Sequence, residues 1–285
     1  MRIVSLLPST TEILFALGAG DEVVGVTFEC DYPAQARTRT IVSTSAMPEG
    51  LAPGEIDAFV VAAMRRGEDL YHLDAGALAG LDADLVVTQD LCAVCAVDVS
   101  VVDDALAHLG CTAEVLTIDP HTVAEVLDSF VTIGEAVGRG EAGRALAAEQ
   151  GERIEELRTA VPAGPRPRVL FLEWTEPPFA PGHWIPEMIE VAGGIPLLGT
   201  PGEKSRRITW EAAHAAAPDV VVVAPCGYDR EGSTALAADL VASGVLPPGV
   251  PVHAVDANAS WARPGTRLPQ GIAELAELLS GWAGR

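Results

Sequence analysis

The chain has 285 residues, 49% of them hydrophobic, enough to bury one large core or two of ordinary size. Forty acidic against 18 basic residues leave a formal charge of −22. So acidic a surface repels phosphate backbones and anionic headgroups, and no apolar run reaches the roughly 18 residues of a membrane span, which argues against nucleic acid and membrane as partners.

Short β-branched runs alternate with longer alanine-rich helical patterns, the mark of an α/β layered fold. Strands are expected at 2–6, 22–27, 40–43, 84–88 and 113–117, and again at 167–172, 219–224 and 251–255. Met1 to Pro8 lacks the basic region, apolar core and cleavage site of an export signal. The expectation is therefore a cytoplasmic protein, with a mature form whose leader has been removed as the alternative. The first turn, Leu7 to Glu12, offers Ser9 as an N-cap with Glu12 in the reciprocal position. The amides of that helix start can equally hold a polar ligand group.

After the second strand comes Thr27-Phe28-Glu29-Cys30-Asp31-Tyr32-Pro33, and after the fourth Thr88-Gln89-Asp90-Leu91-Cys92-Ala93-Val94-Cys95. Thr122 and Glu125 then open a long helical stretch, 122–160, with Val123, Val126, Leu127, Phe130, Ile133 and Val137 at helical spacing. Gly138 to Gly143 is a point where it breaks or kinks, and Val161 to Pro165 ends it. The flanking parts look like copies. Leu78 to Thr88 and Ala213 to Ala224 are each a helix end, a turn carrying Asp84 or Asp219, and a buried strand. The chain reads as two α/β lobes, 1–120 and 166–285, bridged by one long helix within 121–165. Ligands of open α/β sheets sit beyond the carboxyl ends of strands, so a cleft between the lobes is the expected site.

In the second lobe, Glu173 to Trp184 is the densest aromatic segment, with Trp174, Phe179 and Trp184. They can stack on a flat ligand or cover the lobe's own core. His183 is the histidine best placed as a ligand, and a hydrogen-bonding surface histidine is its plainer reading. Val220 to Val223 runs into Ala224-Pro225-Cys226-Gly227-Tyr228. Arg263 and Arg267, beside Trp261, suit a carboxylate or phosphate, and Arg206-Arg207 form a second cationic spot near Lys204, the single lysine.

Four of the five cysteines, Cys30, Cys92, Cys95 and Cys226, thus follow predicted strands, whereas Cys111 precedes one and is expected simply to pack. Three readings stand: small buried residues, a thiolate site for Zn²⁺ or an Fe–S cluster, and a dithiol redox pair. On the metal reading Cys30, Cys92 and Cys95 converge on one wall and Cys226 faces them. A metalloenzyme is then the second hypothesis, although Glu29 is the only evident general base. There is no Ser-His-Asp order, Walker-type loop or dinucleotide fingerprint.

Arg2 to Glu12, Val24-Gly25, Asp31-Tyr32-Pro33, Pro177-Pro178-Phe179, Glu190 to Gly194 and the segment Arg263 to Arg267 resemble the substrate-binding proteins of vitamin B12 and iron-chelate ABC importers. The Glu-Cys-Asp-x-Pro and Leu-Cys-x-Val-Cys-Ala segments are similar to those of a soluble subgroup labelled cobalamin-binding. The resemblance implies two lobes joined by a rigid helix and a corrinoid such as cobalamin as ligand. It puts Glu29, Ser45, Gln89 and Ser205 where aromatic side chains hold the corrin in importer proteins, and it keeps Trp261, Arg263 and Arg267. It implies an ABC permease docking through Glu190 and, past an extra segment at 56–71, Asp74. The expected ligand-binding set is Ser9, Glu29, Gln89, Trp174, Phe179, Trp184, Trp261, Arg263 and Arg267. A leaderless importer binding protein is the third hypothesis.

Overall fold

The computed structural model describes residues 1–89 and 113–282. The chain divides into two compact units, Met1–Pro120 with Asp128–Ala147, and His121–Leu127 with Ala148–Arg285.

The first unit runs β1 (Ile3–Ser5), α1 (Pro8–Ala16), β2 (Val23–Thr27), β3 (Thr40–Ser45), α2 (Pro53–Arg66), β4 (Tyr71–Leu73), α3 (Ala75–Ala79), β5 (Leu85–Thr88) and β6 (Glu114–Thr117). Its sheet has the order β4-β3-β2-β1-β5-β6. All neighbours are parallel except β4, which pairs antiparallel with β3. The central strands β1 and β5 are buried along their whole length, as layers on both faces of a parallel sheet require.

Next come α4 (Val123–Ala136) and α5 (Gly140–Ala160). The stretch expected as one long helix is two helices folded back on each other. Gly138, at φ +70°, turns the chain in a conformation that a side chain would strain. Beyond it α5 packs antiparallel to α4: Gly143 meets Phe130, Arg144 pairs with Glu135 at 3.1 Å, and Gly151 lies against Leu127. The Thr122–Glu125 capping box is present, with the Glu125 amide donating to Thr122 Oγ1 at 3.2 Å and the Glu125 carboxylate accepting from the Thr122 amide at 3.1 Å.

The second unit continues with β7 (Arg168–Leu172), β8 (Trp174–Thr175), β9 (Pro178–Ala180), α6 (Ile185–Val191), β10 (Ile195–Pro196), β11 (Arg206–Arg207), α7 (Trp210–Ala215), β12 (Val220–Val223), α8 (Arg230–Ser243), β13 (Val252–Ala254), α9 (Ala257–Ser260) and α10 (Leu268–Ser280). A parallel sheet of order β10-β7-β12-β13 is joined by a small antiparallel one of order β11-β9-β8. Its core gathers Leu170, Leu172, Val221, Val223, Ala237 and Leu240. Among the described residues no helix is long and apolar enough to cross a membrane.

The repeat around Asp84 and Asp219 is a shared backbone clip. Asp84 accepts from the Arg2 amide at 2.7 Å and its own amide donates to the Arg2 carbonyl at 2.8 Å. Asp219 does the same with Arg168, at 2.8 Å in both directions. Each arginine side chain then donates to the carbonyl three residues before the aspartate, Leu81 or Ala216, at 2.6 Å. Both turns also place a non-glycine residue at positive φ two positions before the aspartate, Asp82 at 41° and Ala217 at 46°.

The helix hairpin makes opposite demands on two glycines. A Cβ on Gly143 would lie 2.6 Å from the Phe130 carbonyl oxygen, whereas one on Gly151 meets Leu127 at an ordinary 3.5 Å. Gly143→Ala is expected to destabilise the protein by about 1–3 kcal/mol. Gly151→Ala should be neutral or stabilise by up to about 1 kcal/mol, because alanine favours the helix. Urea unfolding of the two variants checks the contrast.

Candidate functional site

Parallel strands bring their following loops to one sheet edge, so each unit is described at its carboxyl edge. In the first unit the edge rests on a buried hydroxyl network. Ser5 Oγ lies 2.7 Å from Thr10 Oγ1 and accepts from Thr11 Oγ1 at 2.8 Å. Thr10 donates to the Leu7 carbonyl at 3.1 Å, and Thr11 Oγ1, whose one proton serves Ser5, lies 3.0 Å from the same carbonyl. Cys30, only 3% exposed, sets its sulfur 3.1 Å from Thr11 Oγ1 and 3.3 Å from Thr27 Oγ1. These contacts lock the start of α1 to the end of β2, since buried polar groups must find partners.

Ser9 is not the N-cap. Helix α1 begins at Pro8 with Leu7 as the cap residue, because proline fits the first helical position, and Ser9 lies buried inside the first turn. Above the network, Phe28 and Tyr32 are exposed by 39% and 46%. Tyr71 leans on Phe28 with ring centroids 6.1 Å apart, and its hydroxyl donates to the Glu29 carboxylate at 3.4 Å. Tyr71 opens the antiparallel strand β4 and pairs with Ser45 at the end of β3, so the reversed strand delivers its first residue to this edge. Gln89 is buried just past β5. Beside Tyr71 a recess of about 600 Å³ is walled by Ala46, Phe59, Ala63 and Leu73, with Arg66, Glu68, Asp69 and His72 also lining it.

In the second unit, Trp174 stands edge-on to Tyr228 at 5.9 Å, with its indole N–H donating to the Glu176 carbonyl at 3.0 Å. The Arg207 guanidinium sits over the Phe179 ring, 5.7 Å from its centroid, held there by the pairing of β9 with β11. Burial raises the Tyr228 phenol above its ordinary value. Glu173 follows β7, and its carboxylate accepts from the Gly182 amide at 2.7 Å and from Ser205. Desolvation outweighs both bonds and pushes its pKa up to about 7. The residue keeps part of its surface, so the carboxylate is screened to some degree.

Two of the expected ligand contacts belong to the core instead. Trp184 is 4% exposed and Trp261 fully buried. The Trp184 indole donates to the Trp261 carbonyl at 2.9 Å, and Trp261 packs on Phe171 with centroids 4.8 Å apart. They brace the segment that carries Arg263 and Arg267, both partly exposed, with Arg267 donating to the Asn258 carbonyl at 3.4 Å. His183, at φ +52°, stands against His121 at 5.4 Å and Trp184 at 5.7 Å. Glu190 is exposed on α6, and Asp74 caps α3 by accepting from the Ala77 amide at 2.9 Å.

The four-thiolate site is not assembled by the described residues. Cys30 is buried against hydroxyls, Cys226 is exposed at the end of β12, and Cys92, Cys95 and Cys111 lie outside the described residues. Among the described residues no three His, Cys, Asp or Glu side chains come together to hold a metal. Phe28, Tyr32 and Tyr71 are the residues that sequence reasoning passed over. Large aromatics in a polar turn were a signal for the first two, while nothing local marks Tyr71.

A family model described as periplasmic binding protein matches residues 3–244. The vitamin B12-binding protein of Vibrio cholerae serotype O1 is 24% identical over 230 residues, 77% of this chain and 69% of that protein. The cobalamin-binding protein of Halobacterium salinarum is 28% identical over 244 residues, 83% of this chain but 57% of that protein. Among solved structures, the periplasmic heme-binding protein BhuT in complex with two hemes superposes with a TM-score of 0.71 at 26% identity, covering 98% of this chain and 97% of that one. The periplasmic vitamin B12-binding protein BtuF of Vibrio cholerae follows the same fold, with a TM-score of 0.65 at 20% identity over 98% and 96% of the two chains.

Glu173 gives the second unit a pH signature. Its folded pKa, about 7, is above the ordinary 4.5, so its contribution to stability is greatest below pH 4.5 and is lost as pH rises through 7. Glu173→Gln keeps an acceptor for Gly182 and removes the charge. It is expected to stabilise the protein by about 1–2 kcal/mol at pH 8, after allowance for partial exposure, and by much less at pH 5. Denaturant unfolding at the two pH values tests this, and an equal effect at both would refute it.

Proposed function

The chain belongs to the periplasmic binding protein family, and from that premise we propose that it binds a corrinoid such as cobalamin without transforming it. The observation that carries this reading is the aromatic group at each carboxyl edge: Phe28, Tyr32 and Tyr71 in the first unit, Trp174, Phe179 and Tyr228 in the second. Flat ring systems bind by stacking and by burial of apolar area, which such side chains supply with little loss of conformational freedom. Two relatives named for binding vitamin B12 and cobalamin support the choice of ring. Glu29 then meets the carboxamides on the ring's periphery as a hydrogen-bond partner, a role that asks for no general base.

Heme is the second reading. It is favoured by the cations of the second unit, with Arg207 over Phe179 and Arg263 and Arg267 on the braced segment, because heme carries two carboxylates and the corrin ring presents amides. BhuT supports it. As the family works with ABC permeases, Glu190 on α6 is the proposed docking residue, and Glu190→Ala should leave ligand affinity unchanged.

Titration of the purified protein with cyanocobalamin, followed by calorimetry and visible absorbance, decides between the readings. One cyanocobalamin per chain is expected, with Phe28→Ala and Trp174→Ala each weakening binding by about tenfold, the value of one lost ring contact of 1–1.5 kcal/mol. Binding of hemin with none of cyanocobalamin would establish the second reading in place of the first.

A further inference from the structure

The strands that carry the second unit's aromatic face are too short to hold themselves. Strands β8, β9 and β11 have two, three and two residues, and on them stand Trp174, Phe179 and Arg207. Glu173, just past β7, fastens them. Its amide donates to the Phe179 carbonyl at 3.1 Å, and its own carbonyl accepts from the Cys226 amide at 3.1 Å. Its carboxylate binds the Gly182 amide, past β9, at 2.7 Å, and also Ser205, which precedes β11. The two backbones meet there, since a Cβ on Gly182 would lie 2.1 Å from the Ser205 nitrogen. Glu173 is half-buried, so water still reaches the residue.

The charged neighbours on β11 and the loop before it are Arg206, Arg207, Lys204 and Glu203, with Glu176 in the turn between β8 and β9. His183 follows Gly182 with His121 against its ring, and Cys226 and Tyr228 follow β12. Burial, rather than any of these charges, is what raises Glu173 to about 7.

We infer that Glu173 is the positioning residue of this face and that the ligand binds there with uptake of a proton by its carboxylate. The inference rests on the corrinoid reading above. A flat ring stacked on Trp174 and Phe179 displaces water from Glu173, which adjoins the first and bonds the second. Loss of that water favours the neutral acid. The acid keeps both anchors, because its carbonyl oxygen accepts from Gly182 while its O–H donates to Ser205. Ligand and proton therefore help each other to bind, and affinity is highest below pH 7 and falls as pH rises beyond it.

The test is calorimetry with cyanocobalamin, which does not itself titrate between pH 6 and pH 8, on the wild type, Glu173→Gln and Glu173→Ala. The wild type is expected to bind about fivefold more weakly at pH 8 than at pH 6, as it does when the ligand favours the acid about tenfold. In buffers of different ionisation enthalpy at pH 7.5 it should take up about half a proton per ligand. Glu173→Gln keeps an acceptor for Gly182 and should hold the wild-type pH 6 affinity within about twofold at both pH values, with no proton uptake. Glu173→Ala loses the anchor and should bind about fivefold more weakly at both, with circular dichroism establishing that it is folded. A pH dependence that survives in Glu173→Gln belongs to His183 or His121 and overturns the inference. So does equal wild-type affinity at the two pH values, or wild-type affinity in Glu173→Ala, and each of these leaves the corrinoid reading standing. A wild type that binds no cyanocobalamin at either pH overturns both.

Discussion

Two backbone clips set the position of nearly everything else in this molecule. In each unit an aspartate on the turn before one buried strand grips both backbone groups of the arginine at the start of the neighbouring strand. The arginine returns a bond to a carbonyl of the turn that follows the preceding helix. This ring fixes the register of β5 on β1 and of β12 on β7, and a parallel sheet has no hairpin to fix it otherwise. Register in turn decides which residues stand at the carboxyl edge. The aromatic faces lie a strand's length from the clips and depend on them.

The parts of the fold that declare themselves in sequence are those governed by local rules. The β-branched runs became strands, and the Asp84 and Asp219 repeat proved to be one structural device used twice. The short strands β4 and β8 to β11 were not legible, because they exist through partners that their own local pattern does not announce. Tyr71 was missed for the same reason. The rule that sites follow strands looks downstream, and an antiparallel strand presents its upstream end. A break or kink between Gly138 and Gly143 was legible in the stretch 122–160, but not that the chain reverses there, which the left-handed turn at Gly138 accomplishes.

Composition also failed to separate a partly exposed aromatic from a core one. Trp184 and Trp261 sit in the same kinds of segment as Trp174 and Phe179, yet they are buried and tied together by an indole-to-carbonyl bond. Their place is in the core, where they hold the arginine-bearing segment. Cys30 shows a similar displacement. It follows a strand as a ligand would, but Thr11 and Thr27 claim its sulfur, and it serves to join α1 to β2.

The strands at the sheet margins have a consequence for how the chain behaves in company. A parallel sheet with a free outer strand is an open template for a neighbouring chain, and 49% hydrophobic residues would reward that pairing. Among the described residues the marginal strands are short: β4 has three residues, β6 four, β10 two and β13 three. Strand β10 ends in Pro196, which has no N–H to offer, and Glu114 and Thr117 stand exposed on β6. The chain, which also exposes Phe28 and Tyr32, thus has flanks guarded against edge-to-edge aggregation, and its large negative charge keeps copies apart at longer range.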